Sequence, residues 1–171
     1  MSFLTNMFAR KADPRAALRP LYGAIVAMGR DPRWYEGGVP DTIDGRFEMV
    51  TAIIAHVLLR LEGEETARAP SAHLTEIFID DMDAQLRQSG VGDLMVGKHI
   101  GKMMGALGGR LGAYRSAASV AERAQVLARN LGLDDWKTVD AAGAQLQGFG
   151  EALAATPSAA IVAGRLPVLT P

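Results

Sequence analysis

Apolar residues recur at intervals of three and four along most of the 171 residues, and no segment shows the period of two that marks a half-buried strand. The chain therefore reads as all-α, a single compact bundle of about six helices ending in an irregular C-terminal tail. Its length suits one domain with a core that needs neither disulfide nor metal. Asp13-Pro14 opens a first helix, which Leu18, Leu21, Tyr22, Ile25, Val26 and Met28 carry to Gly29 before Asp31-Pro32 ends it. The connector PRWYEGGVPDTIDG follows, with Trp34 and Tyr35 expected to plug it onto the core. A second helix, capped by Asp44, carries Phe47, Val50, Ile54, Val57, Leu58 and Leu61 on one side. Met49, Ala52, Ile53 and Leu59 make its remainder apolar too, so it should be the central, most buried element. A third helix is expected from Ser71 to Ser89, a fourth from the cap Asp93, a short fifth from Ser119 to Asn130 with Gly132 as its stop, and a weaker sixth from Trp136 to Ala155. The expected organisation is an N-terminal segment over 1–12, mobile or lying at an interface, a helical domain over 13–155 and a tail over 156–171.

Glycine is in excess, at 19 residues, or about 11% against an average of about 7%. Five of these, Gly97, Gly101, Gly105, Gly108 and Gly112, fall within about 80° of one another on the fourth helix. They cost roughly 4–5 kcal/mol of helix propensity relative to alanine. Two readings follow: another backbone approaches closely there, from this chain or from a partner, or the helix breaks at Gly108-Gly109.

With 18 Lys+Arg against 19 Asp+Glu, the chain has no bulk attraction for nucleic acid or an anionic membrane, and nucleic-acid binding is disfavoured. The absence of cysteine excludes disulfides, thiol catalysis and thiolate metal sites. No run approaches the roughly 18 apolar residues of a membrane span. Phe3, Leu4, Met7 and Phe8 precede Arg10 and Lys11 at helical spacing, which reads as a frayed terminus or a short interfacial foot. No nucleophile-elbow, phosphate-loop, dinucleotide or zinc-protease motif is present. The acidic run Asp80, Asp81 and Asp83 could hold a cation or do acid-base work. The weightier reading is an ion network, with Arg46 as a candidate partner for Asp81. His56 falls opposite the apolar stripe of its helix, and the three histidines lack metal-ligand spacing. No cofactor is expected. Seven acidic side chains and one basic lie between Glu62 and Asp83, and seven basic and two acidic between Arg87 and Arg129. Such segregation lets the third and fourth helices pair, or orients a partner.

Trp34-Tyr35, Gly38-Val39-Pro40-Asp41-Thr42 and Gly45-Arg46-Phe47-Glu48-Met49 occur in order, followed by HVLLRL, by Ile79 to Arg87, by Gly90-Val91-Gly92-Asp93-Leu94 and by Val96-Gly97-Lys98. Over roughly residues 20 to 115 this pattern resembles the ubiquinol-cytochrome c chaperone family. The resemblance implies a non-enzymatic assembly factor for respiratory complex III. Mitochondrial members act with a small helper protein on newly made cytochrome b, a haem-carrying membrane subunit. Little of the chain lies beyond the family domain, which points to a bacterial member. The implied partners are a cytochrome b-type client, a small helper protein and the membrane surface. The implied location is the cytoplasm, peripheral at the inner membrane, or the matrix side in a mitochondrial member. A carboxylate-based metal or cofactor carrier is the alternative from another class, and a peripheral membrane adaptor working through Met1 to Lys11 is a third.

Three groups are candidates for a client or partner surface. Tyr35, Val39, Asp41 and Arg46 lie in the connector, where they either meet a partner or shape the turn. Asp80, Asp81, Asp83 and Arg87 lie on the third helix. Gly97, Gly101, Met103, Met104, Gly105 and Gly108 lie on the fourth, with Met82 and Met95 adding adaptable apolar surface.

Overall fold

The computed structural model describes residues 13–88 and 96–169, with side-chain surroundings over 13–85 and 101–169. Among these residues the chain is helical without a strand. A 3₁₀ turn, Pro14–Leu18, leads into α1 (Arg19–Gly29), and the Asp13 carboxylate caps it by accepting from the Arg15 N–H at 3.0 Å. The elements that follow are α2 (Pro32–Glu36), α3 (Ile43–Leu61), α4 (Arg68–Gln88), α5 (Val96–Ser116), α6 (Val120–Leu131), α7 (Asp140–Ala155) and α8 (Ser158–Val162).

α3 is the hub, as its all-round apolar sequence requires. Every residue from Glu48 to Leu58 is buried, and α1, α4, α5, α6, α7 and α8 all pack on it. Its cap differs from expectation: the Thr42 hydroxyl accepts from the Gly45 N–H at 3.1 Å, while Asp44 sits inside the first turn. Extended backbone at Thr42 aims its side chain at the free N–H groups, and Asp44 still adds a favourable negative charge at the helix start.

The connector contains one helical turn, α2. Trp34 is fully buried and its indole N–H donates to the Met28 carbonyl at 2.7 Å, while the Tyr35 hydroxyl donates to the Gly29 carbonyl at 3.2 Å. Glycine is needed here for space. A Cβ at Gly45 would lie 1.9 Å from the Pro40 carbonyl oxygen, and one at Gly38, where φ is +99°, would lie 1.7 Å from that of Thr138. α6 opens with a reciprocal Ser119–Glu122 capping box and stops at left-handed Gly132. α7, short of large side chains, packs close instead: a Cβ on Gly143 would stand 2.8 Å from that of Ala124 on α6. The C-terminal tail carries the short α8 and then runs without regular structure. It ends against α2, where Leu169 is buried and its carbonyl accepts from Arg33 Nη1 at 2.7 Å.

Candidate functional site

α5 runs unbroken through Gly108-Gly109. Leu107 and Tyr114 face the core, and Met103 and Leu111 are partly buried against it. Gly101, Gly105 and Gly108 are exposed. At these three positions, and at Gly109 and Gly112, no atom of the described residues beyond the adjoining residues and the helix's own backbone lies within 4 Å of where a Cβ would stand. The reading in which another helix of this chain closes over the glycines is therefore not met among the described residues. Met104, 46% exposed, stands beside them. Gly90 to Met95 lie outside the described residues, as do the side-chain surroundings of Arg87 and Gly97.

What turns this face outward is a buried ion pair. Glu48 of α3 is 1% exposed, and both its oxygens accept from Arg110 of α5, at 3.1 and 2.9 Å from Nε and again from Nη2. Burial pushes the Glu48 carboxyl up, against the opposing pull of the guanidinium. Nearby His56 is buried, with ring centroids 4.7 Å from Tyr114 and 6.3 Å from Phe149. Because Arg123 can only donate, His56 Nε2 accepts from its Nη1 at 3.2 Å and the Nδ1–H donates to the Ala52 carbonyl at 2.8 Å. Burial depresses the imidazole pKa to about 4, so it is neutral at pH 7. Arg123 Nε reaches Gln147 of α7 at 2.6 Å, which completes a polar seam through α3, α5, α6 and α7. The signal for Glu48 was its place between Phe47 and Met49 on an apolar helix, where a charge needs a partner.

The acidic run is also engaged within the fold. Asp80 accepts from Arg15 at 2.9 Å. Asp81 accepts from the Tyr22 hydroxyl at 2.7 Å and from Gln85 at 3.1 Å, and not from Arg46 as expected. Asp83 is half-buried on the same helix. Among the described residues, no three His, Cys, Asp or Glu side chains are placed to hold a metal. Arg46 turns instead to Asp41 at 2.7 Å. Tyr35, Asp41 and Arg46 come together with Arg30, Pro32 and Glu36 around a cleft of about 370 Å³. Val39 is not part of that surface: it is 2% exposed and packs in the core, so the surface role expected for it is not available.

A second groove, of about 390 Å³, was not anticipated. It lies where the C-terminal end of α3 (Leu58, Leu59, Leu61) meets Ser71, Ala72 and Thr75 of α4 and Leu111 and Arg115 of α5. Arg115 bridges to Glu62 at 2.6 Å at its edge, so α5 arginines reach carboxylates of α3 and the turn after it. On the helical wheel Leu111 and Arg115 adjoin Gly108 and Gly112, which places the groove beside the glycine face.

Residues 36–168 match the family model described as ubiquinol-cytochrome C chaperone. The chain belongs to this family. The match extends past the motifs of the first helices to take in α6, α7 and α8. The crystal structure of the Cbp3 homolog from Brucella abortus is similar over 91% of this chain and 90% of that one, with 32% identity and a TM-score of 0.80. This bacterial neighbour supports both the helical architecture and the chaperone family. No curated protein matches the chain.

Two outcomes test the polar seam of this family member. Arg110→Met strands the Glu48 carboxylate and should cost about 3–5 kcal/mol in denaturant unfolding, while Glu48→Met with Arg110→Met should recover most of that loss. Equal losses in the single and double variants would contradict the pairing. The His56 ring, followed by NMR, should titrate at about 4 in the folded chain. Because the unfolded chain takes that proton near 6.5, stability present above pH 6.5 should fall as pH drops towards 4. A midpoint near 6.5 would contradict the burial.

Proposed function

We propose that the protein is a non-enzymatic assembly chaperone that binds a newly made cytochrome b-type subunit during assembly of ubiquinol-cytochrome c reductase. The observation that carries this reading is the family match over residues 36–168. No helix among the described residues is long and apolar enough to cross a membrane. The reading places the protein in the cytoplasm, peripheral at the inner membrane, where it meets a membrane client before that client is enclosed by its partners. A small helper protein belongs to the same proposal. The non-enzymatic role is supported by the use of Asp80, Asp81 and His56 in internal contacts. Those contacts also weigh against the carboxylate-based metal or cofactor carrier. The adaptor reading rests on Met1 to Lys11, which lie outside the described residues.

The face proposed for the client is the outer side of α5, with Gly101, Gly105, Gly108 and Met104, bordered by the groove over Leu58, Leu59 and Leu111. Membrane helices pack through small residues that let backbones approach, and a glycine face offers an incoming helix the same geometry. Methionine adapts to an imperfectly matched apolar surface. The absent side chains are not required by the packing of the described residues, and each lowers the propensity of α5.

Gly105→Ala separates this role from packing. The substitution should raise stability by roughly 0.5–1 kcal/mol, since alanine suits a helix better and meets no neighbour among the described residues. Gly105→Leu should cut co-purification of newly synthesised cytochrome b by about tenfold, the equivalent of roughly 1.4 kcal/mol. Full client capture by a stable Gly105→Leu chain would overturn the assignment of this face.

A further inference from the structure

The connector is held more firmly than a turn requires. Trp34 is buried and bonded to Met28, Tyr35 is bonded to Gly29, and neither Gly38 nor Gly45 has room for a Cβ. Yet this fixed frame presents polar groups to solvent. Arg30 is exposed and, among the described residues, makes no ion pair; Arg46 is bonded to Asp41 through Nε alone. Arg46, Asp41 and Arg30 line one cleft together with Tyr35. Ile43 is 86% exposed. It lies three residues before Arg46 on α3 and so shares its helix face.

We propose that this cleft docks a second protein by gripping one of its carboxylates between Arg30 and Arg46, while an adjoining apolar side chain of that partner covers Ile43. A guanidinium presents a planar fork of donors that fits a carboxylate, and two such forks border the cleft. Glu36 and Asp41 offset the two arginines, so the site has no net positive field to gather a polyanion such as an acidic bilayer. It suits one carboxylate, because Arg30 is exposed and makes no ion pair among the described residues. Tyrosine and arginine are residue types that concentrate binding energy, and on a fixed frame they do so with little ordering cost. None of the lining residues comes from α5, so the site is separate from the proposed client face and does not depend on it.

The test uses the full chain and three synthetic probes: acetyl-Leu-Glu-Leu-amide, its glutamine counterpart, and acetyl-Leu-Leu with a free terminal carboxylate. NMR follows the Ile43 methyl and the Arg30 and Arg46 Nε–H signals. Saturable shifts are expected with the carboxylate probes in the millimolar range, at least about tenfold weaker with the glutamine probe. They should be lost in Arg30→Gln and kept in Gln125→Ala, on the exposed side of α6. The tighter of the two carboxylate probes shows whether a side chain or a chain end is gripped. Equal responses to the Glu and Gln probes, or none that saturates, would overturn the proposal. Binding of the chain to vesicles with about one-third phosphatidylserine that Arg30→Gln abolishes would also overturn it, in favour of a membrane.

Discussion

The Glu48–Arg110 pair decides which way α5 faces. A helix with so many glycines has weak intrinsic preference, and its place in the bundle must be imposed by tertiary contacts. Leu107, Arg110 and Tyr114 supply them from one side, with Arg110 also bonding back to the Ala106 carbonyl. Helical geometry then turns Gly101, Gly105 and Gly108 away from the core. A buried ion pair adds little net stability over a well-packed apolar pair, but breaking one side of it is costly. Its consequence here is orientation: α3, the most buried helix, fixes the rotation of the helix with the barest surface.

Glycine is therefore put to two opposite uses. At Gly38, Gly45 and Gly143 the missing side chain is filled by neighbouring atoms of the same chain, and substitution would force the backbone apart. At Gly101, Gly105, Gly108, Gly109 and Gly112 of α5 the missing side chains are not filled by any of the described residues. The first kind is a requirement of folding. The second lowers helix stability with no return from the described residues, the pattern expected where a surface serves a partner.

Periodicity and cap chemistry were enough to find the longer helices, the central position of α3, the start of α6 near Ser119 and its stop at Gly132, but not the short α2 and α8. They could not find contacts between distant positions. Glu48 and Arg110 are 62 residues apart, and nothing in either local pattern selects the other. Asp81 was matched to Arg46 by charge, whereas the fold brings it the neutral Tyr22 hydroxyl. His56 falls opposite the main apolar stripe of α3 and is buried all the same, because that side of the helix is covered by α5, α6 and α7. Thr42 replaced Asp44 as cap by a two-residue difference in where the chain leaves its extended form. The groove between α4 and α5 depends on the spacing of two helices, which no single-helix pattern encodes.

The open face of α5 is tested most directly by a photocrosslinking side chain placed at Met104 in living cells while cytochrome b is being made. The expected result is a covalent adduct between this chain and newly made cytochrome b from Met104, and none from Gln125 on the exposed side of α6. Adducts with cytochrome b from Gln125 and none from Met104 would contradict the placement of the client on α5.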